Sequence, residues 1–222
     1  MINNPKDMAV KQLDNRLKSI LSEVSGTIVA DIGADHGKLA VAIALSQRAK
    51  KVYAVDISAK CLQKTAALAT EYGAKSVVCV ESDGLQNIPE TPDQIIIAGL
   101  GGLEISKILS DANYRGRAIL VAHSEQSRLR EYLSGKVGIE KDYAVASGKK
   151  FYQVIVTNSG KYIYKQEELR FGLNFPERED FKAMLCNRRK EIMRIKAINP
   201  LARGGIEQEF LEVEKLCSKL GI

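Results

Sequence analysis

Residues 27–37 read Thr27-Ile28-Val29-Ala30-Asp31-Ile32-Gly33-Ala34-Asp35-His36-Gly37, an apolar run that ends in an acid and breaks into a glycine turn. Gly37 to Gln47 (GKLAVAIALSQ) then reads as a helix. A short buried strand, a glycine turn and a helix put the turn at the carboxyl edge of an open sheet, where such sheets bind ligands. Gly33 and Gly37 lack side chains, so a ligand can approach the backbone closely. A pyrophosphate needs glycines spaced G-x-G-x-x-G. Here Asp35 stands mid-turn, and a carboxylate there repels a diphosphate and suits a ligand with a cationic end.

Outward from this turn the pattern repeats. Lys51 to Asp56 is a second strand, and Asp56 lies 25 residues beyond Asp31. An acid at that strand end can accept both hydroxyls of a ribose, with Ile57 beside it. Ser58 caps a helix reaching about Tyr72. Val77 to Glu81 is a third strand, and Asp83-Gly84 after it can meet an adenine amino group and ring. Gln94 to Ala98 is a fourth strand, followed by Gly99-Leu100-Gly101-Gly102. Ala98 and Gly99 extend the ligand edge. Gly101 and Gly102 read either as a close approach for a flat substrate or as a tight turn before the helix 102–109. Acids at three consecutive strand ends form one constellation, and S-adenosylmethionine, a nucleoside with ammonium and sulfonium groups, is the cofactor they suit.

Strand Ala118 to Ala122, helix Glu125 to Leu133 and strand-like stretches 143–146 and 151–157 complete the unit. Short apolar strands alternating with helices indicate a parallel sheet covered on both faces. The last two strands, joined at Ser147-Gly148, indicate a terminal antiparallel hairpin. The expected fold is therefore α/β, a Rossmann-like class I methyltransferase fold with a mostly parallel seven-stranded sheet. An amphipathic helix over 9–24 precedes it.

A second unit begins near Tyr164, with the division expected at 1–160 and 161–222. Pro176, Glu177, Glu179 and Asp180 read as a helix start. Phe181, Leu185, Arg188, Ile192 and Ile195, then Ile206, Phe210, Val213, Cys217 and Leu220, follow coiled-coil spacing on either side of Asn199-Pro200 and Gly204-Gly205. An antiparallel helical hairpin is expected. Between Lys182 and Arg203 seven cations face one acid, Glu191, which equals the whole chain's excess of +6.

The 222 residues, 45% hydrophobic and 27% charged, are ordinary for a globular protein. Four cysteines with no C-x-x-C pair and only two histidines, His36 and His123, argue against a metal site or a disulfide framework. Residues 1–13 have no signal-like apolar core, and no window approaches a membrane span. The expectation is a cytoplasmic protein, monomeric or weakly dimeric, with no membrane partner.

Several motifs together resemble the bacterial tRNA adenine-22 N1-methyltransferases. Leu13-Asp14-Asn15-Arg16-Leu17 is similar to that family's L-x-x-R-L helix. Asp31-Ile32-Gly33-Ala34-Asp35-His36 resembles its D-x-G-[ST]-D-H turn, and Asp83-Gly84-Leu85 its D-G-L. Ile97 to Gly102 with Ile105, Ile108 and Leu109 is similar to its I-A-G-M-G-G loop and helix. Gly148-Lys149-Lys150-Phe151-Tyr152 and Arg170-Phe171-Gly172 resemble its G-K-x-Y and R-x-G. The chain departs from the family at Ala122-His123-Ser124, where Q-P-N is usual, at Leu100, and at Ser58 to Lys60, which replaces a glycine-proline pair.

The resemblance implies methyl transfer to N1 of an adenine in tRNA. Asp35 and His36 are the expected catalytic pair, since adenine N1 needs no general base and the product is cationic. Phe151 and Tyr152 are candidate platforms for a flipped base. Lys182, Arg188, Arg189 and Arg194 are expected to contact phosphates. Methylation of another RNA, a protein or a small molecule, and a non-catalytic interaction role, are the alternatives.

Overall fold

The computed structural model describes residues 13–199 and 205–222. The expected helix residues 9–12, and Pro200 to Gly204 with the expected helix break and Arg203, lie outside them.

The chain runs through α1 (Asn15–Glu23), β1 (Ile28–Ile32), α2 (Lys38–Leu45), β2 (Lys51–Asp56), α3 (Ala59–Tyr72), β3 (Val77–Glu81) and β4 (Gln94–Ala98). It continues through α4 (Gly102–Asp111), β5 (Arg117–Val121), α5 (Gln126–Leu133), β6 (Gly138–Ser147) and β7 (Lys150–Asn158). The remaining helices are α6 (Gln166–Phe171), α7 (Glu179–Ile198) and α8 (Gly205–Leu220).

One seven-stranded sheet has the order β3-β2-β1-β4-β5-β7-β6. Val29 lies opposite Val52 on one side and Gln94 on the other, all parallel. β7 enters antiparallel between β5 and β6, with Leu120 opposite Ile155. This is the terminal hairpin expected from Ser147-Gly148, and β6 starts earlier than the apolar pattern indicated. Its first half, Gly138–Asp142, is polar enough to hide the period: Glu140, Lys141 and Asp142 form ion pairs with Arg117, Glu23 and Arg130.

Alternate residues of each central strand feed two cores. Val29, Val52, Ala54 and Ile96 pack under α1 and α2, while Ala30, Ile32, Val55 and Ile97 pack under α4 and α5. Ile95, Ile96 and Ile97 are fully buried, each contributing about 1.5–3 kcal/mol through burial. The order reverses between β1 and β4, so the carboxyl ends of β1, β2 and β4 open onto one crevice.

α7 and α8 form the antiparallel hairpin, with Phe181, Leu185, Ile192, Val213 and Cys217 buried between them and against Ala144. α7 begins at Glu179, three residues later than Pro176 indicated. Phe175 exchanges both backbone hydrogen bonds with Asp142 (2.8 Å each), an isolated antiparallel bridge to β6. The short helix α6 escaped the sequence reading. Arg130 of α5 ties it to the sheet: the guanidinium donates to both carboxylate oxygens of Asp142 on β6 at 2.8 Å and to the Leu169 carbonyl of α6 at 3.3 Å.

Candidate active site

The turn after β1 is held by β2. The Gly33 and Ala34 amides donate to the Val55 carbonyl at 2.8 and 3.0 Å. Gly33 has φ +76°, and a Cβ there would meet only Leu100 at 3.9 Å, so its missing side chain leaves open space. Gly37 has φ +67°, and its Cβ would lie 2.5 Å from Thr65. Its glycine is required by packing on α3, and it does not line the cavity described below.

Asp56 organises the same turn. Its carboxylate accepts from the Asp35 amide at 3.2 Å and from the Ser58 amide at 2.9 Å. Asp31 is buried beneath it, and burial, reinforced by the charge of Asp56, pushes its carboxyl up to about 7. A carboxyl held there is close to half ionised at neutral pH, and a cation placed beside it would restore its charge. Asp35 has φ +35°, which turns its side chain outward; it lies 3.3 Å from His36 Nε2 and accepts from the Cys61 thiol at 3.5 Å.

Asp31, Gly33, Ala34, Asp35, His36 and Asp56 line a cavity of about 640 Å³ together with Asp14, Arg16, Lys38, Ala98, Gly99 and Leu100. Asp31, Gly33, Asp35, His36, Asp56, Ala98 and Gly99 are thus brought together as the strand-end pattern implied. Ile57 is exposed at the rim, and Asp83 and Gly84 sit at the end of β3 without lining this cavity. Gly101 and Gly102 are buried. A Cβ on Gly102 would fall 2.2 Å from the Glu125 carbonyl, and the Gly102 amide donates to the Ser124 carbonyl at 3.0 Å. Close packing against the Glu125 backbone accounts for Gly102, while a Cβ on Gly101 would meet only the side-chain ends of Glu125 and Ser124 at 3.3 and 3.4 Å.

A second cavity, of about 770 Å³, adjoins the first and shares Arg16 and Gly99 with it. His123, Glu125, Lys149, Lys150 and Tyr152 form its sheet side, and Arg170, Asn187, Arg188 and Glu191 its helical side. Arg16 stands at the junction, its guanidinium 5.2 Å from the centre of the Tyr152 ring, its buried Nε without a hydrogen-bond partner. Sequence reasoning noted Arg16 only within a motif. An arginine on the polar face of an amphipathic helix gives no periodic signal of what it faces.

The expected phosphate-binding cations are distributed differently. Arg188 Nε and Nη2 reach the Glu209 carboxylate at 2.7 and 2.8 Å, Arg189 pairs with Glu214, and Lys182 with Glu179. Arg194 is exposed and forms no ion pair among the described residues.

The family profile described as "Methyltransferase domain" matches residues 13–155. The tRNA (adenine(22)-N(1))-methyltransferase of Bacillus subtilis is 27% identical over 157 residues, 67% of this chain and 66% of that enzyme, so the match spans about two thirds of its length. Among solved structures, a protein of the NADB-Rossmann superfamily from Streptococcus agalactiae superposes with a TM-score of 0.82 at 21% identity, covering 92% of this chain and 96% of that one. The M. capricolum TrmK in complex with S-adenosylhomocysteine gives 0.74 at 24% identity, covering 93% and 95%. At these identities the likenesses establish the fold, including its C-terminal helices.

Proposed function

The chain belongs to the methyltransferase domain family, and we propose that it transfers the methyl group of S-adenosylmethionine to N1 of an adenine in tRNA, at position 22 as in the similar Bacillus enzyme. The observation that carries this reading is the pair of joined cavities. One is edged by carboxylates suited to a cationic nucleoside, and it opens past Arg16 and Gly99 into a second, larger cleft.

The residues present fit the cofactor. Asp31 would hold the ammonium group, since a buried carboxyl near 7 gains most from a cationic neighbour. Asp56, at the end of β2, would accept the ribose hydroxyls, with Ile57 at the rim and Asp83-Gly84 beyond it toward the adenine. Arg16, whose Nε makes no hydrogen bond and only a 4.0 Å ion pair with Asp14, would take the carboxylate. Gly33 and Gly99 leave the backbone open. When bound, the cofactor supplies an electrophilic methyl group on a sulfonium.

The acceptor nitrogen carries its own lone pair, so no residue need remove a proton before attack. The work left to the protein is alignment and stabilisation of the charge that develops on the base. Asp35, turned out of the cofactor turn, would take the second task, with His36 3.3 Å away to steady it. The sheet domain, 1–160, carries the cofactor; the helical unit, 161–222, closes the acceptor cleft, and Lys190 and Arg194 face solvent for the RNA body. A tRNA substrate sets its place of work in the cytoplasm; among the described residues no helix is long and apolar enough to cross a membrane.

The test is incubation with labelled S-adenosylmethionine and unmodified tRNA, followed by nucleoside mass spectrometry. 1-Methyladenosine is expected. Label in another nucleoside, or none in RNA while cofactor binds, sinks the assignment.

A further inference from the structure

We propose that the Lys149–Lys150 turn, rather than the ion-paired hairpin residues Arg188 and Arg189, grips the RNA backbone at the mouth of the acceptor cleft. This rests on the reading of the chain as an RNA methyltransferase and adds a binding site to it.

The first argument is which cations are free. Arg188 is held by Glu209 and also by Glu191 at 2.7 Å, and Arg189 by Glu214. Lys196 is held by Glu207 at 2.9 Å and lies 4.5 Å from the Phe210 ring. A phosphate reaching any of these would leave a carboxylate unpaired beside it, so the exchange gains little. Lys149 and Lys150 are both exposed and form no ion pair among the described residues. Five cations, Arg16, Lys149, Lys150, Arg170 and Arg188, line the cleft against three carboxylates, Glu125, Glu191 and Glu209, so it is net positive.

The second argument is rigidity. The turn closes β6 on β7, with Ser147 opposite Lys150 and Ala146 opposite Phe151. Ala146 is clamped from two elements: its carbonyl accepts from Asn15 Nδ2 at 3.1 Å, and its amide donates to Asp180 Oδ2 at 3.0 Å. Both lysines therefore project from a fixed base. They line the same cleft as Arg16 and Gly99, the residues shared with the cofactor cavity. A phosphodiester gripped there sets how far the acceptor nucleotide reaches toward the methyl group, which no contact along the distal hairpin can do.

The experiment measures tRNA affinity of the full chain against salt concentration for wild type, K149Q/K150Q, K149R/K150R and R188Q/R189Q. S-adenosylhomocysteine affinity is measured on each by calorimetry. Each phosphate released contributes about 0.7–0.9 to the logarithmic salt slope. K149Q/K150Q is expected to lower that slope by roughly 1.4–1.8 with the homocysteine nucleoside bound as in wild type. K149R/K150R restores the slope, and R188Q/R189Q leaves it in place. A slope unchanged by K149Q/K150Q, or one lowered by R188Q/R189Q instead, overturns the proposal. Wild type that binds the nucleoside but not tRNA overturns the RNA reading itself, and this proposal with it.

Discussion

Asp31 carries the largest electrostatic cost in the cofactor cavity. Raised from 3.8 to about 7, its carboxyl binds a proton in the folded state that the unfolded chain has already released. The cost grows as pH rises from about 4 to 7 and is full above 7, roughly 4 kcal/mol by conversion of the shift. Asp31→Asn is therefore expected to raise the melting temperature at pH 8 and to change it little at pH 4. The same variant should weaken S-adenosylmethionine binding. In wild type that affinity should fall as pH drops from 8 to 6, because protonation removes the charge the ammonium needs. A pH-independent affinity removes Asp31 from this role. Arg16 has its own chemical test. S-adenosylhomocysteine has an amino-acid tail and methylthioadenosine has none, so Arg16→Met should weaken the first about 10- to 100-fold, as for a lost charge-assisted hydrogen bond, and leave the second unaltered. Equal losses for both would mean that Arg16 only shapes the cavity.

At the scale of elements, legibility in the sequence followed burial. β1, β2 and β4 carry unbroken apolar runs because helices cover both faces, and their ends brought Asp31 and Asp56 to one edge as the pattern implied. Helix α6 and the first half of β6 were missed for the same reason inverted: their contacts are polar and remote in sequence. Arg130 on α5 is fully buried and meets Asp142 on β6, Gln153 on β7 and the Leu169 carbonyl on α6. Burial opposes its charge, yet Asp142 and the Tyr164 hydroxyl leave its pKa above the ordinary range. No local spacing announces such a pair. Removing one partner strands the other in an apolar site, so Asp142→Asn should cost about 3–5 kcal/mol in chemical denaturation. A loss under 1 kcal/mol would show that water reaches the guanidinium. The constraints on Gly102 and Gly37 were illegible for a related reason: one answers to the Glu125 carbonyl on a neighbouring loop and the other to Thr65 on a helix, both distant in sequence.

The whole molecule separates two tasks along one line. The first cavity is formed by the sheet's carboxyl edge with α1 and the start of α2, while the second is walled by both units, since Met184, Asn187 and Glu191 of α7 line it with His123, Lys149 and Tyr152 of the sheet domain. Among the described residues only Arg16 and Gly99 line both spaces. Loosening the hairpin should then damage one task and spare the other. Leu185 is fully buried in the cluster that joins α7 and α8 to Ala144. Leu185→Ala should remove about 2–5 kcal/mol from that packing and shift the cleft wall. The expected outcome is a raised KM for tRNA with the dissociation constant of S-adenosylhomocysteine unchanged, read on the same preparation. If both constants rise together, the two cavities behave as one cooperative site, and the division of labour between sheet domain and hairpin is wrong.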